Sequence, residues 1–379
     1  MRRFWAWCSG VSLGATGSNS PKPAPGRRAV VRPPRRRSPP RRFRQGRTTG
    51  RTCATETRGS PGRDEHLRSS LSALPQRIEA VGKSAAVAEA LAALECLDSY
   101  QRRLPKPARL ALHERFRAQV RPLFLEAEVP RYAAARPRGY PGDFGSMERI
   151  WKGRTQPATH APRGRTPLGR LLNQVVLELA NCVANEHRVY FLVDRIGQLR
   201  PGAVLASIGS GSAIEIVYAC RQGICPPRLR VHLFDLDEGA HAAARKHLAI
   251  WGIRPVCHSG DAVKAMLNYA GEPFDLAYSS GMFDYFHVSW AHRFVARIWQ
   301  HVAEDGTLIV TNARPDNPTR TIMEWICDWY LKYKTEAELL RLADGLALVA
   351  STCVTRDRQG VYQYLELVRE PGQALNRGA

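Results

Sequence analysis

From Gly202 onward the chain alternates short apolar runs with amphipathic segments, and this alternation restricts the fold more than any other feature. "AVLASIG" reads as a buried strand and "SAIEIVYACRQG" as a helix ended by glycine. "RVHLFDLD" and "EGAHAAARKHLAIWG" repeat the pair, and "RPVCHSGD" supplies a third short strand and a turn. "FDLAYSSGMFDYF" follows as strand and loop, "HRFVARIWQHV" as helix, "GTLIVTNAR" as strand and "EAELLRLADGL" as helix. A helical crossover brings each new strand back in the direction of the last, so the pattern predicts a parallel, doubly wound α/β sheet. The ending departs from it. "ALVASTCVTRD" and "GVYQYLELVRE" are β-rich runs joined at Asp357-Arg358-Gln359-Gly360, which predicts an antiparallel hairpin closing the sheet.

Upstream, the spacing of "SAAVAEALAALECLDSY" and of "PARLALHERFRAQVRPLF", which opens at Pro107, predicts helices from about His66 to Val129. Residues 135 to 151, "ARPRGYPGDFGSMERIW", hold too much Gly and Pro for either periodic element. One long helix is expected from Thr166 as N-cap with Pro167 at its first position, through the stripe Leu172, Val176, Leu179, Val183, to about Gln198. The organisation expected is therefore a basic tail over 1–66, a helical accessory or lid region over 67–165, the α/β domain over 166–372 and a short tail over 373–379.

Charge must be located before it is interpreted. The net charge is +22, but residues 1–66 hold 16 Lys and Arg against three acids, +13 of the total. That tail, with "RRAVVRPPRRRSPPRRFRQGR" at its centre, is too poor in apolar residues to offset the entropy of ordering and reads as disordered. Its Arg run lacks interleaved aromatics, so nucleic acid is not the expected partner. Arg/Pro-rich leaders also arise when GC-rich DNA upstream of the true start is translated. The opening "MRRFWAWCSGVSLGATG" falls short of a signal peptide's apolar run, and no stretch reaches the ~18 apolar residues of a membrane span. Nine scattered cysteines without a C-x-x-C pair suggest neither a disulfide framework nor zinc, and with these features they point to a cytoplasmic protein and no metal.

The turn "ASIGSGSAIEI" lies between the first strand and the helix that follows. A dinucleotide fingerprint would need a third glycine, and Ser212-Ala213-Ile214 supplies none; there is no G-K-[ST] phosphate loop either. What Gly209, Ser210 and Gly211 suit is a ligand without phosphate, lying on a flat turn with helix N-terminal amides facing its carboxylate. Asp235, at the end of the second strand, can accept both hydroxyls of a ribose, and Asp261, after the third, can meet an adenine amino group. Ser279 ends the fourth strand on the same side. Acids at successive strand ends describe a nucleoside-shaped site. With the closing hairpin, this predicts a class I, Rossmann-like methyltransferase sheet with an N-terminal helical accessory region, and S-adenosyl-L-methionine (SAM) as cofactor.

Three segments, "RPRGYPGD", "FDLAYSSGMFDYF" and "TNARPDNPTRTIMEWICDWYLKYKTEAEL", resemble the bacterial family of extracellular-factor 3-hydroxypalmitic acid methyl ester biosynthesis proteins over roughly residues 85–370. Phe144 stands where that pattern leads one to expect tyrosine, and Ala313 where it leads one to expect an aromatic. The resemblance implies methyl transfer from SAM to the carboxylate of a 3-hydroxy fatty acid, giving a diffusible quorum-sensing signal.

The acceptor side is expected in the loop of Arg136, Arg138, Tyr140 and Asp143, folded over the cofactor as a lid, with Tyr285 and Asn312 at strand ends facing the same crevice. Arg138, Tyr140 and Tyr285 are the candidate catalytic residues; Arg136, Asp143 and Asn312 are candidates for holding the acid. The alternative for the loop is a structural turn with its Arg and Asp paired. His287 could serve a hydroxyl acceptor as base or simply face solvent. Trp325, Trp329 and Tyr330 could line an acyl channel or pack as core. A carboxylate needs no general base. The loop 279–285 carries neither a [DN]-P-P-[YF] motif nor a Pro-Cys nucleophile, which disfavours nucleic-acid methylation. Two other readings are a methyltransferase acting on another small acid or hydroxyl, and a non-catalytic protein of this fold with a nucleic-acid-binding arm. An NAD-linked oxidoreductase is disfavoured by the missing glycine.

Overall fold

The computed structural model describes residues 63–372; most of the expected basic tail, and the tail over 373–379, lie outside them. Helices α1 (Arg63–Ser72), α2 (Leu74–Val81), α3 (Lys83–Arg103) and α4 (Lys106–Gln119) come first, then α5 (Glu128–Ala135), α6 (Phe144–Thr155), α7 (Pro167–Leu177) and α8 (Ala180–Gly197). The alternating region follows as β1 (Val204–Ile208), α9 (Ile214–Gln222), β2 (Arg230–Asp235), α10 (Glu238–Ala249), β3 (Val256–Ser259), α11 (Ala262–Leu267), β4 (Phe274–Ser279), α12 (Val288–Trp299) and β5 (Val302–Ala313). After α13 (Arg320–Cys327) and α14 (Glu336–Leu340) come β6 (Val349–Arg356) and β7 (Tyr362–Arg369).

The seven strands form one sheet in the order β3-β2-β1-β4-β5-β7-β6. β1 lies inside the sheet, between β2 and β4, because all five of its residues can be buried on both sides. Val204, Ala206 and Ile208 join the core on one face, and Leu205 joins the core on the other with Val231, Leu233 and Tyr278. β1 pairs in parallel with β2 and β4, Ala206 lying opposite both His232 and Ala277. β7 runs antiparallel between β5 and β6, as the hairpin at 357–360 requires.

The single helix expected from Thr166 is two. Thr166 does cap it, its hydroxyl accepting from Gly169 N at 2.9 Å, but α7 ends at Leu177 and Leu179 is extended (φ −60°, ψ 147°) before α8 begins. The break turns a new face of α8 inward, with Asn181, Asn185, Arg188 and Leu192 buried, where the unbroken stripe would have used Val183. Nor is 135–151 irregular throughout. Asp143 accepts from Ser146 N at 2.8 Å and starts α6 at Phe144, so the glycines at 145 and 153 are helical and permit close packing against Tyr132 and Leu177.

A third difference concerns α13. It falls between strands in sequence, yet Ile322, Trp325 and Ile326 are buried in the core built by the N-terminal helices. Asp98 accepts from Thr321 N, and Arg117 and Arg121 pair with Asp328 just past the helix. The chain thus returns from β5 to the accessory helices before completing the sheet.

Candidate active site

The glycine turn after β1 folds back onto β2. Gly209 N and Ser210 N both donate to the Phe234 carbonyl, at 2.8 and 3.2 Å, and both glycines take positive φ, 70° and 52°. Asp235 is 7% exposed and accepts Gly211 N at Oδ2 (2.8 Å) and Asp237 N at Oδ1 (2.9 Å). Those two amides fix the plane of the carboxylate while leaving each oxygen further lone pairs. Burial pushes its carboxyl above the ordinary range, against the pull of the two donors. The hydroxyls of Ser210 and Ser212 are buried without partners. A Cβ at Gly209 would lie 3.0 Å from Met282, and one at Gly211 would lie 3.3 Å from Phe144. Bare backbone, a pinned carboxylate and unused hydroxyls make a cradle that fits a nucleoside bearing an amino acid, as SAM does. Asp261 caps α11 through Oδ1, accepting Val263 N and Lys264 N.

The expected lid loop does lie against this turn. Arg138 places Nη1 2.7 Å from both carboxylate oxygens of Asp237 and sets its guanidinium 4.3 Å from the centre of the Phe144 ring. Its partner is thus the loop after β2. Tyr140 meets Tyr285 edge-on at 6.1 Å, and Tyr285 Oη accepts from Trp329 Nε1 at 3.1 Å. Burial pushes both phenols up, so they stay protonated. Gly142 is enclosed by that pair, a Cβ there meeting Trp329 Cζ2 at 2.5 Å and Tyr285 Oη at 2.7 Å.

Other expected site residues go elsewhere. Arg136 takes a left-handed conformation (φ 49°) at the end of α5 and donates to the Asp328 carbonyl, 2.7 Å away, instead of reaching toward an acceptor. Asp143 is spent on capping α6, although its Oδ2 is buried without a partner. The Ser279 hydroxyl donates to the Ile208 carbonyl at 2.8 Å and ties β1 to β4 inside the sheet. Asn312 lies beneath the crevice, donating to Asp284 Oδ1 at 2.7 Å. His287 is exposed. Trp325 packs on Phe116 and His113 and, with the exposed Tyr330, lines a cavity of about 510 Å³ between α3, α4 and α13, whereas the cavity beside Trp329 measures about 30 Å³, room for a water only.

Three buried charged groups were not legible as site residues. Asp284 accepts Asn312 Nδ2 and Ala313 N, both at 2.7 Å, and burial raises its carboxyl to about 6. Lys334 donates to the carbonyls of Phe283, Phe286 and Lys332 at 2.8 to 3.0 Å, and burial lowers it to about 8. Arg188, on α8, lies against Gly281. Charged residues within helical or loop sequence read as solvated; only the packing of β4, β5 and α8 shows otherwise.

Residues 206–306 match the family model of a methyltransferase domain. No curated protein matches the sequence. Among solved structures, a possible exported protein from Bordetella parapertussis is 17% identical with TM-score 0.49, over 83% of this chain and 100% of that one. Magnesium protoporphyrin IX methyltransferase from Synechocystis PCC 6803 is 17% identical with TM-score 0.40, over 52% and 87%. An O-methyltransferase family protein from Burkholderia thailandensis is 13% identical with TM-score 0.39, over 60% and 68%. Five parallel strands closed by a hairpin and a matched methyltransferase domain make this a chain of the class I methyltransferase fold, with S-adenosyl-L-methionine as cofactor.

Proposed function

We propose that the protein transfers a methyl group from SAM to the carboxylate of a small acid, a 3-hydroxy fatty acid being the class implied by the resemblance of its three segments. The observation that carries this reading is the state of the ionisable groups at the crevice floor. Asp284 is held by two donors and Lys334 by three carbonyls, so both serve the loop after β4. Tyr140 and Tyr285 stay protonated. Such a floor suits a nucleophile that arrives already ionised, as a carboxylate with a pKa near ~4 does.

SAM supplies an electrophilic methyl on a sulfonium, and the remaining work is positional. The glycine turn and Asp235 hold the nucleoside end. The Arg138–Asp237 pair fastens the lid loop to the β2 end and keeps water out. Tyr285, Tyr140 and Met282 border the space where the acceptor oxygen must come within about 3 Å of the methyl carbon, in line with the departing sulfur. The proposed compartment is the cytoplasm. Cys182, Cys220, Cys225, Cys257, Cys327 and Cys353 form no disulfide, which fits a reducing environment, and no helix among the described residues is long and apolar enough to cross a membrane.

The test is incubation with labelled SAM and a panel of acids, including 3-hydroxypalmitate. Label recovered as a base-labile methyl ester, and lost in Asp235→Ala, supports the proposal. A base-stable ether would move the acceptor to a hydroxyl, and donor binding without transfer would leave a non-catalytic protein.

A further inference from the structure

Arg188 is 7% exposed, and among the described residues no carboxylate lies within ion-pair distance of it. Its Nη2 donates to Asn185 Oδ1 at 2.8 Å and approaches the Met147 sulfur at 3.8 Å. Its Nε is buried with no acceptor. The guanidinium stands 4.6 Å from the centre of the Tyr362 ring, and Nη1 is 3.4 Å from where a Cβ on Gly281 would be. Asp284 and Glu215 favour its charge through space without an ion-pair contact, Asp284 Oδ2 lying 3.9 Å from that same Cβ position. A neutral amide, a sulfur and a ring face are weak company for a buried cation, whose desolvation ordinarily requires a paired anion.

Its position says which anion. Gly281 precedes Met282, whose side chain borders Gly209 of the cofactor turn, so the fork of Arg188 opens at the crevice between the β1 and β4 ends. Asn181, Asn185 and Arg188 follow one another along the buried face of α8. Asn185 Nδ2 is occupied by the Asn181 carbonyl at 2.8 Å, and its Oδ1 holds Nη2, so the guanidinium is oriented before any ligand arrives. A planar fork so held matches a carboxylate.

We infer that Arg188 is a carboxylate-binding residue of the active crevice. Two carboxylates belong there, that of the donor's amino-acid moiety and that of the acceptor; the second rests on the carboxyl reading proposed above, the first does not. Arg138, the arginine singled out in the sequence, already has Asp237, so Arg188 is the cation left to do this.

The test uses the full-length protein and calorimetric titration of three probes: S-adenosylhomocysteine, 5′-methylthioadenosine, which lacks the amino-acid carboxylate, and 3-hydroxypalmitate added to the S-adenosylhomocysteine complex. Arg188→Met is expected to weaken one carboxylate probe by about 30-fold or more, the loss typical of removing one partner of a buried charge pair. Arg188→Lys should lose several-fold less. Loss with S-adenosylhomocysteine but not methylthioadenosine assigns the donor carboxylate. Loss with 3-hydroxypalmitate at unchanged S-adenosylhomocysteine affinity assigns the acceptor. If both variants bind all three probes within twofold of wild type, the inference is overturned; should Arg188→Met not fold, unchanged binding by Arg188→Lys overturns it alone. Absence of methyl ester from every acid would defeat the proposed reaction and leave the donor result standing.

Discussion

Phe144 lies directly over Gly211: the first residue of α6 approaches the second glycine of the cofactor turn so closely that a Cβ on the glycine would come within 3.3 Å of the phenylalanine Cβ. Gly211 also has φ 52°. Gly211→Ala therefore meets a left-handed backbone costing about 1 kcal/mol for an L-residue, and a neighbour that must shift. SAM affinity is expected to fall at least several-fold by calorimetry, with a modest drop in melting temperature.

Asp235→Asn tests the pinned carboxylate. The substitution replaces an oxygen that accepts from Gly211 or Asp237 by an amide that can only donate, leaving a backbone N–H unmatched at a cost of about 1–3 kcal/mol. Donor binding should weaken by at least tenfold and the melting temperature should fall. A variant that binds SAM like wild type would remove Asp235 from the site.

Arg138→Ala separates anchoring from stability. The pair with Asp237 is 35% exposed on the arginine side, so its loss should change unfolding free energy by less than about 1 kcal/mol. If the loop is the lid proposed above, fastened by this pair, the expected effect is a several-fold rise in the KM for SAM, reproduced in part by high salt in the wild type. A large stability loss with unchanged KM would make the loop a structural turn only.

Gly142→Ala places a methyl 2.5 Å from Trp329 Cζ2 and 2.7 Å from Tyr285 Oη. Overpacking of this kind costs typically about 1–3 kcal/mol. The bond from Trp329 Nε1 to Tyr285 should break, shifting tryptophan emission and, on the proposed placing of Tyr285 beside the acceptor, lowering kcat more than SAM affinity.

Asp284 predicts a pH signature. Its folded-state pKa, about 6, lies above the ordinary 3.8, so its favourable contribution is full at acid pH and is lost as pH rises through 6. Lys334, lowered to about 8, loses its contribution as pH falls through 8, a higher window. Wild type should therefore gain about 1 kcal/mol from Asp284 between pH 7 and 5. Asp284→Asn should lack that gain in denaturant titrations at the two pH values.

The alternation of apolar and amphipathic runs after Gly202 sufficed for the sheet, because strand and helix periods are local properties of the chain. The closing hairpin and the glycine turn beside Asp235 were legible for the same reason: they depend on neighbours within a few residues and on strand ends. Thr166 announced its helix through its own side chain. The end of α7 at Leu177 was hidden, because an apolar stripe continues across it and only packing shows where the face changes. The helix from Phe144 was obscured by Gly145 and Gly153, which packing against Tyr132 and Leu177 requires.

By itself the sequence determined the fold class and the glycine turn with Asp235 beside it, since both rest on local periodicity and on residues a fixed distance past each strand. Tertiary structure alone decided which charges the crevice uses. It gave Arg138 to Asp237, Arg136 to the Asp328 carbonyl and Asn312 to Asp284, and buried Arg188 with no carboxylate in ion-pair contact. Whether a charged side chain is free or paired depends on what the fold brings within 3 or 4 Å of it, and those partners come from elements distant in sequence.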